Sequence, residues 1–356
     1  MHHNPIKAMV VDDSAFMRQL ISDVLRSDPG IEVVATASDP YQARDLIKQY
    51  NPDVLTLDVE MPKMDGLKFL ENLMRLRPMP VVMVSSLTEA GARTTMEALA
   101  LGAVDFFPKP KTDVERTFET VAAELIEKVR HAASARVRQR APTLAPSESK
   151  AAGVVLPAPR PGVRRPDSGR LIAIGASTGG TEAIREVLQQ LPADMPPVVI
   201  AQHIPSGFSL AFAQRLDRVC QLAVSEVKDG ETLQPGHAYV APGDFHLIVE
   251  RVGRGYRASV TADEKVNRHR PSVDVLFRSV ATAAAANAVG VILTGMGADG
   301  AAGLLEMRES GAKTIAQDEA TSLVYGMPRE AAKLGGAEAI LPLDRIAAQV
   351  HSLVSD

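Results

Sequence analysis

The chain has 356 residues, of which 46% are hydrophobic and only 4% aromatic, and its formal net charge is −4. At about 150 residues per domain, this length predicts two domains, each able to bury its own core. The charge balance excludes a global basic surface, so we expect no nucleic acid as a partner. The single Cys excludes an internal disulfide framework and is typical of a reducing compartment.

The chain also lacks the sequence features of a membrane or secreted protein. No stretch of about 20 uninterrupted apolar residues occurs, so we expect no insertion into a membrane. The apolar run near the N-terminus is too short for a signal peptide and leads directly into acidic residues. A cytoplasmic protein is therefore expected, and nothing in the pattern requires more than a monomer.

Five predicted strands alternate with five predicted helices in the first 131 residues. The strands are 6–11, 31–37, 53–59, 81–86 and 103–110. The helices, assigned from apolar residues at helical spacing, are 14–27, 40–50, 67–76, 89–101 and 112–131. This alternation predicts an α/β domain with a parallel sheet that helices cover on both faces.

Residues 132–168 differ in composition from the rest of the chain. They are rich in Ala, Pro, Ser, Gly and Arg and show no apolar period, which predicts a flexible, partly extended linker. The segment is locally basic, through Arg136, Arg138, Arg140, Arg160, Arg164 and Arg165. These arginines favour solubility and self-repulsion, or alternatively a docking site for an acidic partner.

A second alternating region begins at residue 170. Its predicted strands are 170–177, 197–204, 290–294 and 312–318, with a strand-rich middle at 237–243, 245–252 and 255–262. Its predicted helices are 180–191, 207–219, 273–287, 299–310 and 344–354. We therefore predict a second α/β domain, with a parallel sheet and an antiparallel insertion.

Acidic side chains follow the predicted strands of the first region. Asp12 and Asp13 follow the first strand, and Asp58 ends the third. Functional groups of an open parallel sheet gather outside the carboxyl ends of the strands, so these carboxylates are expected to meet. They repel one another unless a cation joins them, and their hard oxygen ligands suit Mg²⁺. Lys109, at the end of the fifth strand, would help to stabilise a phosphoryl group there.

With Ser85 and Ser86 at the end of the fourth strand and Lys109-Pro110 at the end of the fifth, residues 1–125 resemble the receiver domain of two-component response regulators. The resemblance implies a doubly wound, flavodoxin-like fold in which a phosphohistidine kinase phosphorylates Asp58. It implies a Mg²⁺ site formed by the carboxylates of Asp12, Asp13 and Asp58 and the backbone carbonyl of Glu60. It also implies a switch formed by the Ser85 hydroxyl, the Phe106 ring and the phosphate-pairing Lys109.

The stretch "GASTG" at 175–179 matches the G-x-S-x-G pattern of a nucleophile at a strand-to-helix turn. Glycines permit the sharp turn, and the following helix N-terminus offers N–H groups to an oxyanion. The motif makes Ser177 a candidate nucleophile. A phosphate-cradling loop, or an ordinary turn of small residues, would show a similar pattern, so the motif alone leaves these alternatives open.

A serine hydroxyl needs a base, and the base needs an orienting acid. His203 directly follows the apolar run "VVIAQ" of the next predicted strand, and adjacent parallel strands lie about 4.8 Å apart, so it can meet Ser177. Asp299, in the Gly-rich turn of "LTGMGADG", is the candidate acid, although it is alternatively an N-cap of the helix that follows. The backbone N–H groups of Thr178 and Met296 are candidate oxyanion donors. Cys220 lacks such a setting and is interpreted as a structural thiol.

The segments "GASTGG", "AQHIP", "HRPSVD", "LTGMGADG" and "AQDEATSLVYGMPREA" are similar to the catalytic domain of chemotaxis protein-glutamate methylesterases, the CheB family, over residues 170–354. The resemblance implies hydrolysis of glutamate γ-methyl esters, and deamidation of certain glutamines, on chemoreceptor cytoplasmic helices. It assigns Ser177 as nucleophile, His203 as base and Asp299 as orienting acid, with no metal needed for this reaction. "HRPSVD" adds Arg270 and Asp274, as a structural ion pair or cap or as substrate contacts.

We therefore predict a receiver domain at 1–131, a linker at 132–168 and a methylesterase domain at 169–356. We further hypothesise that the unphosphorylated receiver packs over the edge that carries Ser177, and that phosphorylation of Asp58 opens the site. Two other functions stay open: a methylesterase of a non-motility chemosensory array, and a non-catalytic scaffold under receiver control. A DNA-binding regulator is disfavoured, because no basic helix-turn-helix follows the linker.

Overall fold

Five parallel strands form the sheet of the N-terminal domain, in the order β2-β1-β3-β4-β5. The structure is a computed structural model that describes residues 4–61, 66–86, 88–109, 118–135, 137 and 169–355. The strands are β1 (Ile6–Val11), β2 (Ile31–Ala37), β3 (Val54–Asp58), β4 (Val81–Ser85) and β5 (Asp105–Pro108). The helices are α1 (Ala15–Arg26), α2 (Pro40–Tyr50), α3 (Gly66–Leu76), α4 (Glu89–Leu101) and α5 (Phe118–Ser134). The predicted doubly wound receiver fold is confirmed.

Local sequence chemistry fixes where these helices begin and end. The Ser14 side chain caps α1 by accepting the N–H of Met17, and Asp39 caps α2 in the same way. Gly102 ends α4 in the left-handed conformation, at φ 112°. Within the described residues α5 begins at Phe118, whereas its predicted start at 112 lies outside them. It continues to Ser134, into the segment predicted as linker, and the six linker arginines lie outside the described residues.

Seven parallel strands form the sheet of the C-terminal domain, in the order β15-β14-β13-β6-β7-β10-β8. They are β6 (Leu171–Ala176), β7 (Val198–Gln202), β8 (Ala223–Glu226), β10 (His237–Val240), β13 (Ala288–Ile292), β14 (Lys313–Gln317) and β15 (Ala339–Leu341). A small antiparallel sheet contains β9 (Thr232–Leu233), β11 (His246–Val252) and β12 (Gly255–Thr261). The helices are α6 (Gly180–Gln189), α7 (Ser209–Asp217), α8 (Val273–Ala284), α9 (Ala301–Glu309), α10 (Met327–Lys333) and α11 (Leu343–Ser355).

The predicted parallel sheet and antiparallel insertion are confirmed, with one change of membership. The segment predicted at 237–243 as part of the irregular middle supplies β10, which pairs in parallel with β7 and β8 in the main sheet. The sequence analysis did not identify β8, β9, α10 and β15. These elements have between two and seven residues, which is too short for a clear hydrophobic period. No described helix has the length and apolar character needed to span a bilayer.

The two domains share one apolar cluster that continues from the receiver sheet into the catalytic domain. Phe106 of β5 packs on Phe208, with ring centroids 4.4 Å apart, and both side chains are buried. Helix α4 of the receiver packs against α7, which begins at the next residue after Phe208. Burial of aromatic and aliphatic surface therefore holds the receiver on the catalytic domain in this closed arrangement.

Candidate functional site

Three adjacent strands of the large sheet, in the order β13-β6-β7, carry the candidate catalytic side chains at one edge. Ser177 directly follows β6, His203 directly follows β7, and Asp299 lies in the turn after β13. The chain passes from β6 to its neighbour β7 first and reaches its other neighbour, β13, only later. The strand order therefore reverses beside β6. Open α/β sheets form their ligand crevices at such a switch point.

The three side chains form a continuous chain of contacts. The Nδ1 atom of His203 lies 3.0 Å from Ser177 Oγ, and its Nε2 atom lies 2.8 Å from Asp299 Oδ2. The His203 side chain is 8% exposed and that of Asp299 is 1% exposed. An ionised Asp299 accepts a hydrogen bond from Nε2–H of His203. In this tautomer the lone pair of Nδ1 faces the serine hydroxyl. The structure thus brings together the three residues that the sequence predicts.

Asp299 is held by many donors. Its carboxylate accepts the Asn267 amide, the Ser272 hydroxyl and the Val273 backbone N–H, at 2.7 to 2.8 Å. Burial opposes ionisation, but the hydrogen bond and charge of His203, followed by the Asn267 and Val273 hydrogen bonds, outweigh it and hold the pKa of Asp299 well below its usual range. The alternative that Asp299 caps the following helix is wrong, because Gly300 is the N-cap of α9. Asp299 instead binds the N-terminus of α8.

Two turns approach each other above the serine. A Cβ atom on Gly295 would lie 2.7 Å from Ser177 Cβ, so only Gly permits this approach. Thr294 Oγ1 donates to the carbonyl of Thr178 and ties the turns together. Among the described residues we find no acceptor for the backbone N–H of Thr178 or Met296. Both residues also line the cleft that contains Ser177.

The segment before α8 contributes residues that the sequence analysis did not assign to the site. The ring of His269 stacks on His203, with centroids 3.6 Å apart, although its position beside the irregular region gave no reason to expect this. The Asn267 amide bridges Asp299 and Asp274 at 2.8 and 2.7 Å. Arg270 donates to the carbonyls at 262 and 263, so the described structure shows no ion pair between Arg270 and Asp274.

The predicted phosphorylation site lies at the carboxyl ends of β1 and β3. Carboxylate oxygens of Asp12, Asp13 and Asp58 lie within 4.8 Å of one another, and Lys109 Nζ lies 2.8 Å from Asp58 Oδ2. Burial raises the pKa of Asp58 to about 6, although the hydrogen bond from Lys109 opposes this shift. The backbone N–H of Glu60 donates to Asp58, at 3.1 Å. The group is thus a cluster of oxygen ligands, buried at Asp12 and Asp58 and exposed at Asp13, with Lys109 as the paired cation.

Of the three predicted switch residues, Lys109 contacts the acid cluster, whereas Ser85 and Phe106 make their contacts elsewhere. Ser85 Oγ donates to the Gly91 carbonyl in α4, and Phe106 lies in the domain interface. The residue before Phe106, Asp105, accepts the Thr178 hydroxyl at 2.8 Å and pairs with Lys128 of α5 at 2.9 Å. The receiver therefore touches the residue that follows the candidate nucleophile.

The triad opens into a narrow cleft between the two domains. The cleft has a volume of about 270 Å³, and both Ser177 and Lys128 line it. A larger interdomain groove of about 1250 Å³ lies beside Gly179 and Leu323 and includes none of the triad. Cys220 lies outside both, and burial raises the pKa of its thiol to about 11, which supports its interpretation as a structural residue.

Two family models match separate parts of the chain. The family model described as CheB methylesterase matches residues 172–350, and that of the response regulator receiver domain matches residues 8–121. The protein-glutamate methylesterase/protein-glutamine glutaminase 3 of Burkholderia lata is 58% identical over 348 residues, which cover 97% of this chain and 94% of that protein. The protein-glutamate methylesterase/protein-glutamine glutaminase 1 of Xanthomonas campestris pv. campestris is 56% identical over 353 residues, which cover 98% of this chain and 97% of that protein.

A solved structure matches the C-terminal half. The crystal structure of the Thermotoga maritima CheB methylesterase catalytic domain has 38% sequence identity to this chain and a TM-score of 0.51. The match covers all of that domain and 52% of this chain. The sequence pattern, the triad geometry and these comparisons lead to the same enzyme class.

Proposed function

Since the chain belongs to the CheB methylesterase family and is an enzyme of that class, we propose that it hydrolyses glutamate γ-methyl esters, and deamidates certain glutamines, on chemoreceptor cytoplasmic helices. The observation that best supports this proposal is the unbroken chain of contacts from Ser177 through His203 to Asp299. The proposed substrates place the enzyme in the cytoplasm, where a chemotaxis histidine kinase is the phosphoryl donor.

The proposed reaction begins when Ser177 Oγ attacks the ester carbonyl carbon and transfers its proton to Nδ1 of His203. The resulting imidazolium is stabilised by Asp299 through Nε2–H. The backbone N–H groups of Thr178 and Met296 donate to the oxyanion of the tetrahedral intermediate. As the intermediate collapses, His203 gives its proton to the departing methoxide, and methanol leaves; at a glutamine the leaving group is ammonia.

Hydrolysis of the acyl-enzyme repeats these steps with water as the nucleophile. His203 Nδ1 takes a proton from water while the water oxygen attacks the acyl carbonyl. The second tetrahedral intermediate uses the same backbone donors. Its collapse returns the proton from His203 to Ser177 Oγ and releases the glutamic acid side chain, which loses its remaining proton to solvent. The receptor side chain thereby gains one negative charge.

Asp299→Asn is expected to lower kcat for methanol release about 10⁴-fold with little change in KM, because the amide favours the wrong His203 tautomer. The matched control is Asp274→Asn. Asp274 also accepts the Asn267 amide, but its other donor is the Gly303 N–H. Burial already raises the pKa of Asp274, so its neutral replacement is milder. Equal losses in the two variants would contradict an orienting role for Asp299.

In the receiver we propose that Asp58 accepts a phosphoryl group. The residues present fit a divalent cation, because three carboxylates converge there and two of them, Asp12 and Asp58, are almost wholly buried. Asp12, Asp13, Asp58 and the Glu60 carbonyl would hold Mg²⁺, which would neutralise charge on the phosphoryl oxygens. Lys109 would pair with the phosphorylated Asp58, while Ser85 and Phe106 would respond to it.

We propose that the closed receiver excludes the receptor helix without disrupting the triad. The cleft above Ser177 has a volume of about 270 Å³, which is less than one turn of a helix about 10–12 Å across, with a pitch of about 5.4 Å, would occupy. The Asp105–Thr178 and Phe106–Phe208 contacts hold this cleft narrow. Phosphorylation of Asp58 would weaken these contacts by drawing Ser85 and Phe106 towards the phosphoryl group.

The test measures methanol release from methylated chemoreceptor membranes by the full-length chain, before and after treatment with acetyl phosphate and Mg²⁺. A rise of about 5- to 150-fold is expected, the usual range of allosteric coupling. The rise should vanish in Asp58→Asn and when a chelator removes Mg²⁺. Equal rates would contradict gating by the receiver. No methanol in either state would favour the non-catalytic scaffold, and activity only on receptors unlinked to motility would favour the alternative sensory array.

A further inference from the structure

The imidazole of His269 lies flat against the imidazole of His203. The ring centroids are 3.6 Å apart and the planes differ by 13°. We propose that His269 is a positioning residue, an uncharged stacking partner that holds His203 in the plane of Ser177 and Asp299. The inference rests on the proposed function, because it takes His203 as the base.

The backbone around His269 is strained, and polar contacts fix it. Asn267 and Arg268 both have positive φ, at 52° and 69°, a region that residues other than Gly rarely adopt. The Asn267 amide is held by the carboxylate of Asp299, so the triad acid itself anchors the turn. His269 and Val266 exchange backbone hydrogen bonds at 2.9 and 3.2 Å. These contacts thus hold the strained backbone in place at the residues that set the orientation of the His269 ring.

A second histidine of the same region shows what a purely structural role looks like. His246 is buried, its Nδ1 accepts the Ser272 N–H, and its Nε2 donates to the Glu264 carbonyl. For the His269 ring, by contrast, no hydrogen-bond partner occurs among the residues described. The ring instead contacts the face of His203. A ring placed without polar partners against the base is better explained by an effect on that base than by tethering of the chain.

The charge state of His269 agrees with this role. The groups that face it are His203 and Asp299, Lys265 on its own segment, and Lys128 on α5 of the receiver. Burial, and next the charge of His203, lower the pKa of His269 to about 3. At neutral pH it is therefore uncharged. A positively charged His269 at this distance would repel the imidazolium that His203 must form during the reaction. The face of a neutral His269 ring does not repel that imidazolium.

Three variants of the full-length chain separate stacking from charge. His269→Phe keeps a flat neutral ring, His269→Arg keeps a flat group but adds a charge, and His269→Ala removes both. The readouts are the pH profile of kcat/KM for methanol release and the pKa of the His203 ring, followed by ¹⁵N NMR. The NMR signal is assigned by its loss in His203→Gln.

We expect His269→Phe to stay within about threefold of the wild-type rate, and His269→Ala to lose about tenfold, the range of an aromatic stacking contact. In His269→Arg the added charge should lower the pKa of His203. The acid limb of the profile should then move to lower pH by about one unit or more, while the maximal rate falls.

Two results would overturn the inference: a wild-type rate and profile in His269→Ala, or an unmoved acid limb and unmoved His203 pKa in His269→Arg. If thermal melting shows that His269→Ala does not fold, the comparison of His269→Phe with His269→Arg still tests the effect of charge on His203. If the wild-type chain releases no methanol, the proposed function fails on its own. The NMR titration of His203 in the wild type and the Arg variant still tests the stacking contact.

Discussion

Ser177→Ala is expected to lower kcat for methanol release from methylated receptors by about 10⁶-fold, the loss found when the nucleophile of a catalytic triad is removed. The alanine has no oxygen to attack the ester carbon, so no acyl-enzyme forms. Ser177 is a small residue in a tight turn, and its hydroxyl contacts His203. The variant should therefore fold normally, and its thermal unfolding should match that of the wild type.

The control for this loss is Ser225→Ala. Ser225 also places its hydroxyl against a histidine ring, 2.8 Å from Nε2 of His237, but in β8 at the far edge of the sheet. Its removal should leave methanol release unchanged. If Ser177→Ala retains wild-type activity, Ser177 is only a turn residue and the catalytic assignment is wrong. A serine-directed fluorophosphonate should label the wild type at Ser177, as detected by mass spectrometry, and leave the alanine variant unlabelled.

The sequence predicts those parts of the site that lie at strand ends. Parallel strands that alternate with helices bring their carboxyl ends to one edge, so Ser177 and His203 could be placed together without coordinates. The same rule placed Asp12 and Asp58 together in the receiver. The rule works because each side chain lies at or directly after the end of its strand, and a buried, mostly apolar strand of five or six residues is easy to recognise.

The residues that surround Asp299 could not be predicted in this way. Asn267 and His269 lie in an irregular segment between β12 and α8, where neither helical nor strand period applies. Their placement depends on two consecutive left-handed residues, which a sequence pattern does not reveal. For Asp299 the sequence offered the N-terminus of the helix that follows, whereas the carboxylate binds the N-terminus of α8. The cap of α8 by a residue 25 or 26 positions later is a tertiary contact.

The domain interface is also beyond sequence patterns. Asp105 and Thr178 are 73 residues apart, and their hydrogen bond depends on how two separately folded surfaces dock. Asp105 alone indicates nothing more than a strand that begins with an acid. Its partners Thr178 and Lys128 are a turn residue and a helix residue with ordinary local roles. The hypothesis that the receiver packs over Ser177 came from domain order, and only coordinates can name the contacts.

His203→Gln should lower kcat by about 10⁶-fold, as large a loss as removal of the nucleophile, because the two residues act as one unit. The glutamine can still accept the Ser177 hydroxyl as a hydrogen bond, but it cannot carry a proton from attack to departure of methanol. The double variant Ser177→Ala/His203→Gln should be no slower than either single variant. Additive losses in this cycle would show that His203 acts independently of Ser177.

The matched control for this variant is His237→Gln, since both histidines follow or form part of parallel strands and both contact a serine hydroxyl. The difference is the acid: His203 Nε2 contacts Asp299, whereas His237 stacks on Tyr239. Burial lowers the pKa of His237, so it gives up a proton readily, yet no acid orients it among the residues that the structure describes. We expect His237→Gln to retain the wild-type rate of methanol release. A large loss there would mean that a serine–histidine pair without an acid contributes to turnover, and that the contact with Asp299 does not distinguish the catalytic base.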